Sequence, residues 1–232
     1  MFHSCPAKIL KIIFLLAAVI VHALTAVVAP VVIAAAPTKP KLISIAEARG
    51  LPSGTVVTIE GSVTVPSGSF KSSISDEGFA IQDGSGGIYV RMSTNLGLRV
   101  RQQVRVTGKL AESNGLLVIV PSNARSIKVL GRGTEVRPET LSTGKVNEMT
   151  EGRLVKVTGT ITKPVHSDPP YGFRFFVNDG TGEIQVYVSA STKIHERGFE
   201  PGRRVRVIGL SGQYKDHYEI DPRFPADISL IP

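Results

Sequence analysis

Aromatic and cationic side chains alternate along two short stretches of this 232-residue sequence, and that pairing is its most suggestive chemistry. In the run from Phe173 to Val177 and the run from Ile184 to Val188, a period of two sends Arg174, Phe176, Gln185 and Tyr187 outward. The same rule sends Phe173, Phe175, Val177, Ile184, Val186 and Val188 inward. In the run from Phe79 to Met92 it turns Ala80, Gln82, Tyr89 and Arg91 out and Phe79, Ile81, Ile88, Val90 and Met92 in. A cation beside an aromatic offers a charge for a phosphate and a plane for a base. The same side chains also serve as plain strand formers on a wet sheet face, or as a contact between modules. Flanking loops add Phe70, Lys71, His166, Tyr171, Tyr214, Lys215 and Tyr218, and two basic sets, Arg99, Arg101, Arg105 and Arg203, Arg204, Arg206, sit at equivalent strand positions.

Catalytic parts are sparse. Beyond the N-terminal segment the histidines are His166, His195 and His217, none at metal-ligand spacing with a second His, Cys or carboxylate. The single cysteine, Cys5, precedes the apolar N-terminal run, so the remainder has no thiol nucleophile, thiolate metal site or disulfide. No phosphate loop or nucleophile elbow occurs. Asp83 and Asp179 recur at matching places, and their position before glycine in a hairpin turn accounts for them. The expectation is a non-enzyme with no metal and no cofactor.

The elements that carry these residues repeat. VVTIEGSVT (residues 56–64) matches LVKVTGTIT (154–162), FAIQDGSGGIYVRM (79–92) matches FFVNDGTGEIQVYV (175–188), and QVRVTG (103–108) matches RVRVIG (204–209). Three blocks in one order at nearly constant offset mark a duplication. Each block alternates apolar and polar residues like a half-buried strand, and Gly61 and Gly159 fall where such a strand must bulge or bend. Asp-Gly followed by Ser-Gly or Thr-Gly joins two strands in a hairpin. Further hairpins follow at residues 111–115 and 212–220, and each copy closes on a short run, SIKVL or DISLI, for about five strands per copy. Ser44 and Glu47 cap a short lead-in helix, and residues 190–199 carry a helix pattern stopped by Gly198 and Pro201.

In that order and spacing, the blocks VVTIEG…FAIQDGSGGIYV…QVRVTG and LVKVTG…FFVNDGTGEIQVYV…RVRVIG resemble the OB-fold family of the tRNA-anticodon and helicase-associated type, and the OB modules of some secreted nucleases. The resemblance implies an all-β chain of two tandem five-stranded Greek-key barrels, each with a ligand face on its second and third strands flanked by its first and fourth loops. It implies single-stranded DNA or RNA as partner, bound weakly and without sequence preference, through Tyr89, Arg91, Arg174, Phe176, Tyr187, Lys71, Tyr214 and Lys215. The alternatives are an envelope scaffold that holds a protein partner or an oligosaccharide, and an accessory subunit of a secreted nuclease.

Residues 1–36 are set apart. Lys8 and Lys11 are their only charges, the run from Ile9 to Ala36 is apolar save Lys11, His22, Thr25 and Pro30, and it ends on three alanines. This describes a secretory signal, or an uncleaved anchor long enough to span a bilayer, so the expected location is periplasmic or secreted and the expected membrane contact is through this segment alone. Without Lys8 and Lys11 the balance is 25 basic to 19 acidic residues, an excess mild enough to permit a polyanion without demanding one. The expected organisation is therefore 1–36 signal or anchor, 42–130 first barrel, 131–138 linker and 139–232 second barrel.

Overall fold

The structure, a computed structural model, describes residues 40–71 and 76–232; the expected signal or anchor helix lies outside them. Among the described residues no helix is long and apolar enough to cross a membrane. The alternating runs are strands throughout. The first copy contains helix α1 (Ile45–Arg49) and strands β1 (Val56–Val65), β2 (Phe79–Gln82), β3 (Gly87–Val90), β4 (Gln102–Ser113), β5 (Leu116–Val120) and β6 (Ile127–Arg132). The second contains β7 (Glu139–Thr140), β8 (Leu154–Ile161), β9 (His166–Asp168), β10 (Gly172–Asn178), β11 (Glu183–Ser189), β12 (Arg204–Tyr214), β13 (His217–Asp221) and β14 (Ile228–Ile231).

Strand order closes both barrels. In the first, β1–β2–β3–β5–β4 returns to β1; in the second, β8–β10–β11–β13–β12 returns to β8. In each barrel the third and fifth strands run parallel, β3 with β5 and β11 with β13, while the other barrel pairs are antiparallel. The chain is all-β and holds two tandem OB-fold barrels. The closing runs of each copy stay outside the barrels: β6 and β14 extend the edges of β4 and β12.

Inward residues fill one core per barrel, with Phe79, Ile81, Ile88 and Val90 in the first and Phe175, Val177, Val186 and Val188 in the second, all fully buried. Gly61 and Gly159 lie where the first strand bends from its partner on one side to its partner on the other. A Cβ on Gly61 would stand 3.0 Å from the Gln82 carbonyl oxygen, and one on Gly159 2.8 Å from the Asn178 carbonyl oxygen, so the second strand's backbone leaves no room for a side chain.

Ser44 caps α1 as its type predicts, its hydroxyl accepting from the Glu47 amide at 3.1 Å. The helix expected over 190–199 is instead one 3-10 turn, Ala190–Thr192, ended by Lys193 in the left-handed region (φ 59°). Ile194 and Phe199 both enter the core, and the Phe199 ring lies 5.0 Å from that of Phe175. At 3.6 residues per turn a helix would turn residues five apart about 140° from each other. Irregular chain buries both; a helix could not.

Asp83 and Asp179 do more than close their turns. Asp83 accepts from Ser85 and Gly86 in the turn and also from the Ile45 amide of α1 (3.0 Å). Asp179 accepts from Thr181 and from both the amide and hydroxyl of Thr143 in the second lead-in. Each carboxylate therefore ties a lead-in segment across the end of its barrel. The hydroxyls of Thr181 and Thr143 hold Asp179 well below the usual carboxylate range.

Both barrels belong to one compact unit, Lys39–Pro232. Arg49 of α1 pairs with Glu151 (2.9 Å) and Glu148 (3.1 Å) ahead of β8, and Glu151 is buried. Arg153 donates to the Ser85 carbonyl (2.8 Å), and Arg223 donates to that of Thr64 (2.7 Å) while forming a salt bridge to Asp227. A third apolar cluster, Val65, Ala80, Tyr89, Val118 and Leu210, joins the outside of the first barrel to β12 of the second.

Candidate ligand-binding cleft

Beside that junction opens a cleft of about 850 Å³. Its floor is the outer face of β10, β11 and β13; its opposite wall comes from the first barrel through Phe70, Asp76, Tyr89, Ser113 and Leu116. The register of the floor sets out its side chains in rows. Arg174 stands opposite Tyr187, and Phe176 opposite Gln185. Across the parallel pair Gln185 stands beside Glu219, and two residues further on Tyr187 and Asp221 share the next row, close enough that the Asp221 charge acts on the tyrosine. Charge changes sign along these rows, from Arg174 on β10 to Asp221 on β13.

Six of the eight residues singled out from sequence line this cleft: Tyr89, Arg174, Phe176, Tyr187, Tyr214 and Lys215. Their surroundings differ from expectation in three places. Tyr89, expected outside, is buried (5 % exposed), because the face it occupies packs against Leu210 of the second barrel. Only its edge reaches the cleft, and burial first, then the nearby Asp76 carboxylate, raises its hydroxyl pKa far above that of free tyrosine. Phe176 has one ring face already taken, with the Lys163 ammonium 4.1 Å from its centroid and that ammonium paired with Glu183. Tyr187 donates to Asp168 (3.2 Å), which fixes the ring's tilt, and its pKa is raised by burial and by Asp168. Arg91 and Lys71 stand apart. Arg91 borders a separate hollow and reaches Ser113 (3.4 Å), while Lys71 is exposed and paired with Glu77 (2.6 Å).

The acidic side of the cleft was not singled out. Glu219 accepts from the Gln185 amide at 2.6 Å, and Gln185 lies 3.0 Å from His217 Nε2. Hydrogen bonding to Glu219 raises the His217 pKa against the opposing effect of burial. Asp221 lines the cleft beside Glu219, partly buried. Its side chain accepts no hydrogen bond from any described residue, and it fills the space a Cβ on Gly212 would take (2.7 Å). Burial raises its pKa well above the ordinary value, and the neighbouring Glu219 charge adds to the shift. A signal for this side existed. With Ile220 inward, the period of two in β13 turns Glu219 and Asp221 onto the same outer face as Arg174 and Tyr187.

Among the described residues no group of three or more His, Cys, Asp or Glu side chains is placed to hold a metal ion. What the cleft offers is stacking planes, hydrogen-bond acceptors on its acidic side and cations at its edges.

No protein-family model and no curated protein matches the chain. Among solved structures it is similar to a murine DNA binding protein bound with double-stranded DNA, at 14% identity and TM-score 0.39, covering 78% of this chain and 96% of that one. It is similar also to an OB domain from Methanosarcina mazei (13%, TM-score 0.35, 41% and 86% covered) and to the hypothetical protein ygiW from E. coli (21%, TM-score 0.31, 39% and 90% covered). At these values the OB-fold assignment rests on the chain's own strand order and its two parallel third-to-fifth strand pairs.

Proposed function

We propose that this chain is an exported, non-catalytic binding protein that holds single-stranded nucleic acid on the open face of its second barrel. One observation carries the reading: the β10–β11 register sets Arg174 directly opposite Tyr187, with Phe176 in the next row, on a face that opens into a cleft large enough for a nucleotide or two. Base stacking on Tyr187 supplies affinity with little dependence on sequence, at about 1–3 kcal/mol per base, and Arg174 meets the backbone phosphate. Export rests on the apolar run of residues 9–36.

The test is a fluorescence-anisotropy titration of the full chain, held in solution by a mild detergent, with a labelled single strand of about 20 nucleotides, longer than the site of one OB fold. Binding that weakens steeply with salt, and is lost in the Arg174→Ala/Tyr187→Ala double variant, supports the reading. Absence of binding at low salt overturns it.

A second reading is favoured by the hydrogen-bonded pairs Tyr187–Asp168 and Gln185–Glu219 on the same face. Such acceptor-rich polar pairs also suit the hydroxyls of an oligosaccharide. That ligand would bind with no dependence on salt.

A further inference from the structure

The cleft holds opposite charges at its two ends, and a ligand must answer both. Arg174 stands on the β10 side, while the β13 side holds Glu219 and the Asp221 carboxyl, which has no protein donor among the described residues. A plain polycation is disfavoured by Arg174 and Lys215, and a plain polyanion by Asp221 and Glu219. A nucleotide stacked on Tyr187 meets both ends. With its phosphate toward Arg174, its base edge runs along the row from β11 to β13 and meets the carboxyls. Hydrogen-bond acceptors there demand donors from the base. Cytosine, adenine and guanine each carry an exocyclic amine, whereas thymine and uracil present carbonyl oxygens on either side of one ring N–H.

We propose that Asp221, with Glu219 beside it, reads the edge of the base stacked on Tyr187 and favours bases bearing an exocyclic amine over thymine and uracil. This rests on the cleft being the nucleic-acid site proposed above. It differs from that reading in giving the cleft a sequence preference, set by residues on the acidic side. The placement of Asp221 supports it, because its partly buried carboxyl lines the cleft beside Glu219 with no donor among the described residues, and a base amine would supply one.

The experiment compares labelled oligo-dC and oligo-dT on the full chain in mild detergent at matched low salt and near pH 8, because at lower pH the raised Asp221 pKa favours the protonated carboxyl, which donates as well as accepts. Oligo-dC is expected to bind about tenfold more tightly, the discrimination of one good base-edge contact. In Asp221→Asn the ratio is expected to fall to about twofold, since an amide offers both a donor and an acceptor and suits thymine as well as cytosine. Glu219→Gln, which keeps shape and size, is the second variant should Asp221→Asn not fold by circular dichroism, and it too is expected to narrow the ratio. Oligo-dT binding as tightly as oligo-dC to the unaltered chain overturns the preference while leaving the nucleic-acid reading standing. Failure of both strands to bind at low salt overturns the nucleic-acid reading and this one with it.

Discussion

The two barrels put different residues at the same place. Where the parallel strands of the first barrel meet, Tyr89 stands beside Val118; at the equivalent point of the second, Gln185 stands beside Glu219. Directly across on the second strand of each barrel, Ala80 answers to Phe176. The first set, a tyrosine, a valine and an alanine, is covered by Leu210 of the second barrel. The second set, a glutamine, a glutamate and a phenylalanine, lines the cleft. In one copy, then, this sheet face is part of the joint between the barrels, whereas in the other it lines the cleft. The lesson is that a repeated motif fixes which way a side chain points but not what it meets there.

The sharpest way to break this comparison is a pair of tyrosine truncations. Tyr89→Ala removes a buried ring from the junction and is expected to cost about 4 kcal/mol in a urea melt. Tyr187→Ala removes a partly buried ring from the cleft wall and is expected to cost less than about 1 kcal/mol, while weakening oligonucleotide binding about tenfold by anisotropy. Equal stability losses would show that both faces are buried alike. The next effect concerns the other tie between the barrels. Arg49→Ala leaves the Glu151 carboxylate buried and unpaired and is expected to cost about 3 kcal/mol. Because burial already raises the Glu151 pKa, adding Glu151→Gln should recover most of that loss; no recovery would remove Arg49–Glu151 as the source of the effect.

The smallest effect sharpens the electrostatic contrast. Asp221 carries a pKa above its ordinary 3.8, raised by burial and by Glu219, with the Tyr187 and Tyr89 rings as its other neighbours. The native state therefore keeps a proton that the unfolded chain releases, and stability falls as pH rises from about 4 through the folded pKa. Asp221→Asn should abolish that decline. The expected gain is about 1 kcal/mol near pH 8 and close to nothing near pH 4, read as thermal midpoints across pH. A variant that is less stable than the parent at both values would show that the carboxylate is well paired.

Much of the fold was legible because it depends on local rules. Period-two alternation assigned the inward residues of β2, β3, β10 and β11, and the glycine at the bend of each first strand followed from the strand needing to serve two partners. Ser44 and Glu47 announced the lead-in helix in the same way. The irregular stretch 190–199 carries a helix pattern that is only local, whereas its conformation is set by Ile194 and Phe199 both reaching the barrel core. The candidate site divides likewise. Arg174, Phe176 and Tyr187 share a face by register alone, and Glu219 and Asp221 join them by the same rule applied one hairpin later.

The amino-acid sequence by itself determined the duplication, the alternation and the turns, hence two all-β barrels and the side of each strand on which every residue lies. These are consequences of a two-residue repeat and of turn chemistry, which act over a few neighbours. Only the tertiary structure decided that Tyr89 is buried while Tyr187 lines the cleft, that Arg91 and Lys71 stand outside it, and that Asp221 lies in it with no donor among the described residues. Those outcomes depend on how one barrel packs against the other, through contacts such as Tyr89 with Leu210 and Arg49 with Glu151, between residues about a hundred positions apart. No local pattern carries that information, because the energy that selects it is the burial of surfaces which meet only once both barrels have closed.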